Sequence, residues 1–253
     1  MQMYRLFIFI TLVFVSAAAG AQEELFDGPV VITRNLKYGG IHLHTNGYGA
    51  FFNYGWNKGA YKMYMLGIDG LVMKHEKEVK SFNPIYDDSK SYVYGKTNNL
   101  YIFRPTLGIK RIRTEKLRSS GVQVGYIFQF GPSLGVTKPI YLEIGYPSIP
   151  YEYLSVEKYD PSKHYFDDIY GRASGLNGLE ELKLYPGAFA KFAFTFEYSN
   201  EKYGLKGMEV GAAADFYSRR IPIMAEDFID KNKQLFFNFY LNLFIGSKFN
   251  KNG

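Results

Sequence analysis

The stretch at residues 234–249 sorts its side chains by parity. Leu235, Phe237, Phe239, Leu241, Leu243 and Ile245 fall on one side, while Gln234, Asn238, Asn242 and Lys248 fall on the other with Phe236, Tyr240, Phe244 and Gly246 among them. That is the two-residue period of a β-strand, not the 3.6-residue period of a helix. A soluble sheet also alternates. Here, however, the oily face recurs on segment after segment over about ten residues, the length a tilted strand needs to cross a hydrocarbon core. The pattern predicts an all-β fold, a closed antiparallel transmembrane β-barrel.

Six further segments repeat the pattern. In 121–137, Val122, Val124, Tyr126, Phe128, Phe130, Leu134 and Val136 oppose Gln123, Gly125, Gln129, Gly131, Ser133, Gly135 and Thr137, with Ile127 as the main exception. Ile140, Leu142 and Ile144 continue the outward parity, so one long strand projecting past the membrane is expected, with Pro132 tolerable only at a bulge or a poorly paired site. Segments 188–198 and 203–217 alternate as cleanly, and 100–112 sets Tyr101, Phe103, Leu107 and Ile109 against Arg104, Thr106, Gly108 and Lys110. Two earlier segments are less regular: Tyr64, Leu66, Ile68 and Val72 oppose Asp69, and Tyr48, Ala50, Phe52, Tyr54 and Trp56 oppose Gly47, Gly49, Asn53 and Gly55. The phase slips at Thr45-Asn46-Gly47, where a glycine suits a bulge.

Connections alternate in length. Residues 57–59, 115–119 and 199–202 are short, whereas 76–96, 145–184 and 219–233 are long. Outer-membrane barrels pair short periplasmic turns with longer extracellular loops and have an even strand count. An eighth strand is therefore expected before Gly39, within residues 28–34. Ten strands would require a further hairpin in the loop after Gly145, where residues 180–184 read as a short helix.

The N-terminus supplies a route to such a membrane. Residues 1–5 are a short basic region, 6–15 an apolar one, and Ala19-Gly20-Ala21 a small-residue cleavage site. Residues 1–21 therefore read as a signal peptide and 22–253 as a single barrel domain in the cell outer membrane. Without cysteine there is no lipid-anchoring residue, disulfide framework or thiolate metal site. An aromatic content of 18% is high for a soluble domain and suits aromatic girdles. The charge of +6, which becomes +5 without Arg5, includes no long basic run; nucleic acid is not an expected partner, whereas outer-membrane lipid and lipopolysaccharide phosphates are.

An eight-stranded interior is about wide enough for its own side chains. The inward charges Asp69, Arg104, Lys110, Lys191, Glu197, Glu209 and Asp215 mix both signs, which predicts a salt-bridge network in a closed polar lumen. His42 and His44 share one side of a strand but are only two ligands, and they read as interface histidines near the external rim. His75 with Glu76 and Glu78 lacks a second zincin histidine. His164 lies with Asp160, Asp167 and Asp168 in an external loop without an EF-hand pattern. No cofactor or metal is expected. In the same loop Tyr151, Tyr153, Tyr159, Tyr165, Phe166 and Tyr170 form a candidate partner surface for envelope proteins.

The segments IHLHTNGYG (41–49), SYVYGKTNNLYIFRP (91–105) and GPSLGVTKPIYLEI (131–144) together resemble an uncharacterised family of small outer-membrane proteins from Bacteroidota, over residues 39–144. The resemblance implies an outer-membrane location and carries no catalytic residue. More broadly, the chain looks like OmpA/OmpX-type and type IX secretion-associated small barrels, an analogy of fold alone. The expectation is a non-enzymatic barrel acting through its external loops, as an interaction surface or as a subunit of an envelope or secretion assembly. The alternatives are a lipid-modifying enzyme, which needs converging His, Ser and carboxylate, and a narrow channel, which needs an interior of one sign or many glycines.

Overall fold

The computed structural model describes residues 35–59, 61–114, 121–147, 149–198, 204–229 and 231–249. The expected signal segment 1–21, the segment 28–34 and the short connections expected at 115–119 and 199–202 lie outside the described residues. In chain order the strands are β1 (Asn35–His44), β2 (Gly47–Gly59), β3 (Lys62–Met73), β4 (Lys80–Ser81), β5 (Tyr92–Val93), β6 (Asn98–Thr114), β7 (Gln123–Pro139), β8 (Tyr141–Tyr146), β9 (Tyr153–Lys158), β10 (Ile169–Arg172), β11 (Lys183–Glu197), β12 (Gly204–Tyr217) and β13 (Leu235–Phe249). Eight of them close an antiparallel barrel in the order β1-β13-β12-β11-β7-β6-β3-β2. Because β1 bonds to both β2 and β13, the wall has no free edge.

The strand pattern is the one the parity predicts, with two corrections. The first strand is Asn35–His44 rather than a segment within 28–34, and it contains the IHLH residues. The phase slip at Thr45-Asn46-Gly47 is therefore not a bulge. It is the tight turn joining β1 to β2, with His44 paired to Gly47. Glycine is needed there for close approach, since a Cβ on Gly47 would lie 2.0 Å from the Val72 carbonyl oxygen.

The second correction concerns the strand projecting to Ile144. β7 ends at Pro139, and Leu142 and Ile144 belong to β8, in a separate three-stranded sheet ordered β10-β8-β9. The outward parity does continue, but that face becomes the core of the outer sheet, packed with Tyr92, Tyr159 and Ile169. The hairpin in the long loop is thus real, and it adds to this outer sheet instead of raising the barrel to ten strands. A 3-10 turn at Leu179–Glu181 stands where a short helix is expected.

Pro132 sits at a poorly paired site, as required of a residue with no N–H to donate. The β6–β7 ladder is interrupted between Phe103↔Leu134 and Leu107↔Phe130, and Pro105 and Pro132 stand in the gap. On the other side, β11 pairs with β7 without a break from Lys183↔Thr137 to Glu197↔Gln123.

The interior is filled, although not by polar groups alone. One apolar cluster holds Tyr38, Phe51, Met63, Met65, Ile127 and Phe244. A second, at the end where the long connections emerge, joins Leu71, Met73, Leu100 and Phe236 to Ile221, Ile223, Met224 and Ile229. These last four come from the β12–β13 connection, which folds into the barrel mouth instead of extending away from it. The lumen is therefore a mixed core, and the inward methionines of β3 contribute to it as much as the charges do. Room is made at Gly67, where a Cβ would stand 2.1 Å from Asn53 Oδ1.

Outside, the apolar rows are exposed: Ile41, Phe52, Leu66, Phe103, Leu107, Phe130, Phe194, Val210 and Phe239 all face away from the core. At the short-turn end the wall ends in clustered rings. Tyr54 packs near Trp56 and Phe249, and Trp56 near Tyr64, at centroid separations of 5.8–6.3 Å. Cations lie over the same belt, with Lys58 and Lys62 above Tyr64, Lys37 above Phe249 and Arg113 above Tyr126.

Candidate functional site

Two places combine polar chemistry with defined geometry: the lumen and the platform built from the long connections. In the lumen all seven sequence-predicted charges are buried. Arg104 holds Asp215 in a two-pronged contact, with Nε donating to Oδ1 at 2.7 Å and Nη2 donating to Oδ2. Its Nη1 lies 3.9 Å from Asp69 Oδ2, which accepts from Lys191 Nζ at 2.6 Å. Ser133 donates to Asp215 at 3.1 Å and meets the Tyr217 hydroxyl at 2.9 Å. Five strands thus converge on one network: β3 (Asp69), β6 (Arg104), β7 (Ser133), β11 (Lys191) and β12 (Asp215).

The other three charges lie elsewhere in the same interior. Glu209 accepts from Tyr38 Oη and Asn242 Nδ2, both at 2.8 Å. Glu197 accepts from Lys248. Lys110 stands 5.4 Å from the Tyr38 ring centroid and 6.0 Å from that of Phe244. Three buried cations (Arg104, Lys110, Lys191) face four carboxylates (Asp69, Glu197, Glu209, Asp215), and Lys248 at the short-turn end makes the count four to four. Balanced, hydrogen-bonded charge is the condition under which ions are tolerated in a core.

His42 and His44 face the interior rather than outward, although His44, the last residue of β1, does lie at the end where the long connections emerge. His42 stacks on Tyr240 at 4.8 Å. His44 lies beside the Val72 carbonyl and the Asn238 side chain. His42 Nδ1 and Tyr240 Oη have no hydrogen-bond partner among the described residues. No group of three or more metal-ligating side chains occurs among the described residues.

The platform joins the β3–β6 and β7–β11 connections. Asn83 Nδ2 donates to Ile169 O at 2.9 Å and to Tyr151 Oη at 3.2 Å, and Tyr86 stacks on Tyr151 at 5.3 Å. Of the proposed partner residues, Tyr153, Tyr165 and Phe166 are exposed, while Tyr151 and Tyr170 are half-buried. Tyr159 belongs to the core of the platform instead. It is 4% exposed, its hydroxyl accepts from Gly95 N at 3.1 Å, and burial pushes that hydroxyl up to about 12.

The remaining histidines shape turns. His75 Nδ1 accepts from Lys77 N, and His164 Nδ1 accepts from Asp160 N. His164 Nε2 lies 3.3 Å from Glu157, a carboxylate that Ser155 also engages. The acid sits between the hydroxyl and the imidazole, whereas activating a serine requires the imidazole on the hydroxyl.

Sequence reading missed two features. Leu154 and Val156 are exposed on β9, the outer strand of its sheet, and read in sequence as ordinary alternation. A group of lysines and an arginine lining a cavity beneath the platform comes from four separate stretches of chain, so no local motif marks it. No protein-family model matches the chain, and no curated protein matches it in sequence.

Proposed function

We propose that this chain is a non-enzymatic outer-membrane β-barrel whose interior is closed and whose platform is an interaction surface or subunit contact. The observation that carries the reading is the inversion of the wall. Charged groups are buried inside, most of them in ion pairs or hydrogen bonds, large apolar side chains are exposed outside, and a belt of Tyr, Trp and Phe with overlying lysines and an arginine bounds them at one end. In water that exterior would be a large unsatisfied apolar surface, whereas in lipid it is the expected one.

The matched charges and the plugged mouth argue for a wall that does not conduct. Purified protein should require detergent, migrate differently in gels before and after heating, and give no nanosiemens steps in planar bilayers. Reproducible ohmic steps would establish an aqueous lumen and contradict the closed interior.

The platform is the place for a partner because it is folded, with its own core, and presents Leu154 and Val156 on an outer strand beside exposed Tyr153. Such a strand offers backbone pairing as well as side-chain contact. Leu154→Lys/Val156→Lys should leave heat-modifiability intact and remove at least 90% of the partner that co-purifies from outer membranes. An unchanged partner set would move the contact away from β9.

A further inference from the structure

Between the outer face of the wall and the underside of the platform lies a cavity of about 650 Å³. Five cations line it, Lys74, Lys80, Lys96, Lys138 and Arg172, against one carboxylate, Glu78, so the lining carries 5 − 1 = +4. Glu78 is already engaged, accepting from Lys96 Nζ at 2.7 Å and from His75 N at 2.8 Å. Lys96 and Lys138 are each only 7% exposed. Burial holds the Lys96 ammonium below the usual lysine range despite Glu78, and Lys74 adds to the repulsion. Tyr92, also in the lining, has a buried hydroxyl with no hydrogen-bond partner among the described residues. A concentration of positive charge with too few acids is what an anion would relieve.

The position of the cavity narrows the choice of anion. Tyr48, Val72 and Tyr101 complete its lower side, and all three are on the outward parity of β2, β3 and β6, at the top of the apolar rows. We infer that this cavity binds the phosphomonoester headgroup of a membrane lipid, with the acyl chains running down the wall from Tyr48, Val72 and Tyr101. The inference rests on the reading of the wall as lipid-facing. A phosphomonoester carries close to two negative charges and several acceptor oxygens, which suits multiple lysines and one arginine. A zwitterionic headgroup would need a free carboxylate for its cation, and the one acid here is paired.

The test is calorimetric titration of the full-length protein in detergent micelles with dihexanoyl phosphatidic acid, a short-chain phosphomonoester lipid. One site per barrel is expected, weakening as salt is raised. Lys74→Ala/Lys80→Ala/Arg172→Ala should bind at least 10-fold more weakly. Lys37→Ala/Lys58→Ala/Lys62→Ala, which removes the same charge at the short-turn end, should bind as the parent does. Dihexanoyl phosphatidylcholine and inorganic phosphate should each bind at least 10-fold more weakly than the phosphomonoester lipid.

Equal binding of phosphatidylcholine, undiminished binding by the cavity variant, or equal loss in the short-turn variant would overturn the assignment. So would inorganic phosphate binding as tightly as the lipid, which would make the cavity a site for free anions. Heat-modifiable migration checks the fold of each variant. If the cavity variant does not fold, Lys74→Gln alone should still weaken binding at least 3-fold, and undiminished binding by it would overturn the assignment. The short-chain lipid is added from solution, so binding by a protein that is monodisperse without detergent would contradict the membrane reading while leaving the headgroup site standing.

Discussion

Replacing Arg104 with alanine is expected to destabilise the barrel by about 3–5 kcal/mol, the cost of leaving a buried ion without its partner. Arg104 bridges two carboxylates, Asp215 directly and Asp69 at the edge of ion-pair range, and all three side chains are within 1% of complete burial. Its removal also frees Ser133 and Lys191 from a shared arrangement. The loss should appear as a lower urea midpoint for the protein refolded in vesicles. Arg104→Leu/Asp215→Leu should cost less than the sum of the single changes, because the double variant removes the orphaned charge. A loss below about 1 kcal/mol for Arg104→Ala would mean that water reaches Asp215, against the filled interior described above.

The second large effect is expected on the outside. Phe130 lies near the middle of β7, 51% exposed and beside Phe128 at 6.0 Å. Phe130→Arg in vesicles should cost about 2–4 kcal/mol, the range for arginine facing lipid near the bilayer midplane. Leu176→Arg, at a more exposed apolar residue in the platform, should stay within about 0.5 kcal/mol because its surroundings are aqueous. If the two substitutions cost the same, the apolar wall does not contact lipid.

The elements that parity placed correctly are those with one wet and one oily face. Phe192, Phe194 and Phe196 against Lys191, Thr195 and Glu197 allow only one register of side chains, and β11 has it. β1 was harder to place because glycines at 39 and 40 carry no side chain to mark a face, and because His42 and His44 look polar wherever they point. The end of β7 departs from the parity pattern for a different reason. Parity records which residues share a face but not what covers it, and the oily side of β8 meets Tyr92, Tyr159 and Ile169 rather than solvent or lipid.

Individual lumen charges were legible because an inward charge on a strand is conspicuous, but their partners were not. Arg104 and Asp215 are 111 residues apart, and only the closure of β6, β7, β11 and β12 into one wall brings them together. Tyr159 shows the opposite difficulty. Within a Tyr- and Asp-rich stretch its composition matches that of Tyr153 and Tyr165, and only the folded platform separates a core tyrosine from exposed ones.

The central claim, that the wall spans a lipid bilayer, is tested most directly by depth-dependent fluorescence quenching. Trp56 is the one tryptophan in the chain and lies in the ring belt at the short-turn end. A second reporter is Phe130→Trp in a Trp56→Phe background. In vesicles of brominated lipids, the residue-130 reporter should be quenched most by bromines deep in the acyl chains, and Trp56 most by bromines near the headgroups. Quenching of neither reporter, with both instead open to aqueous iodide, would contradict the account.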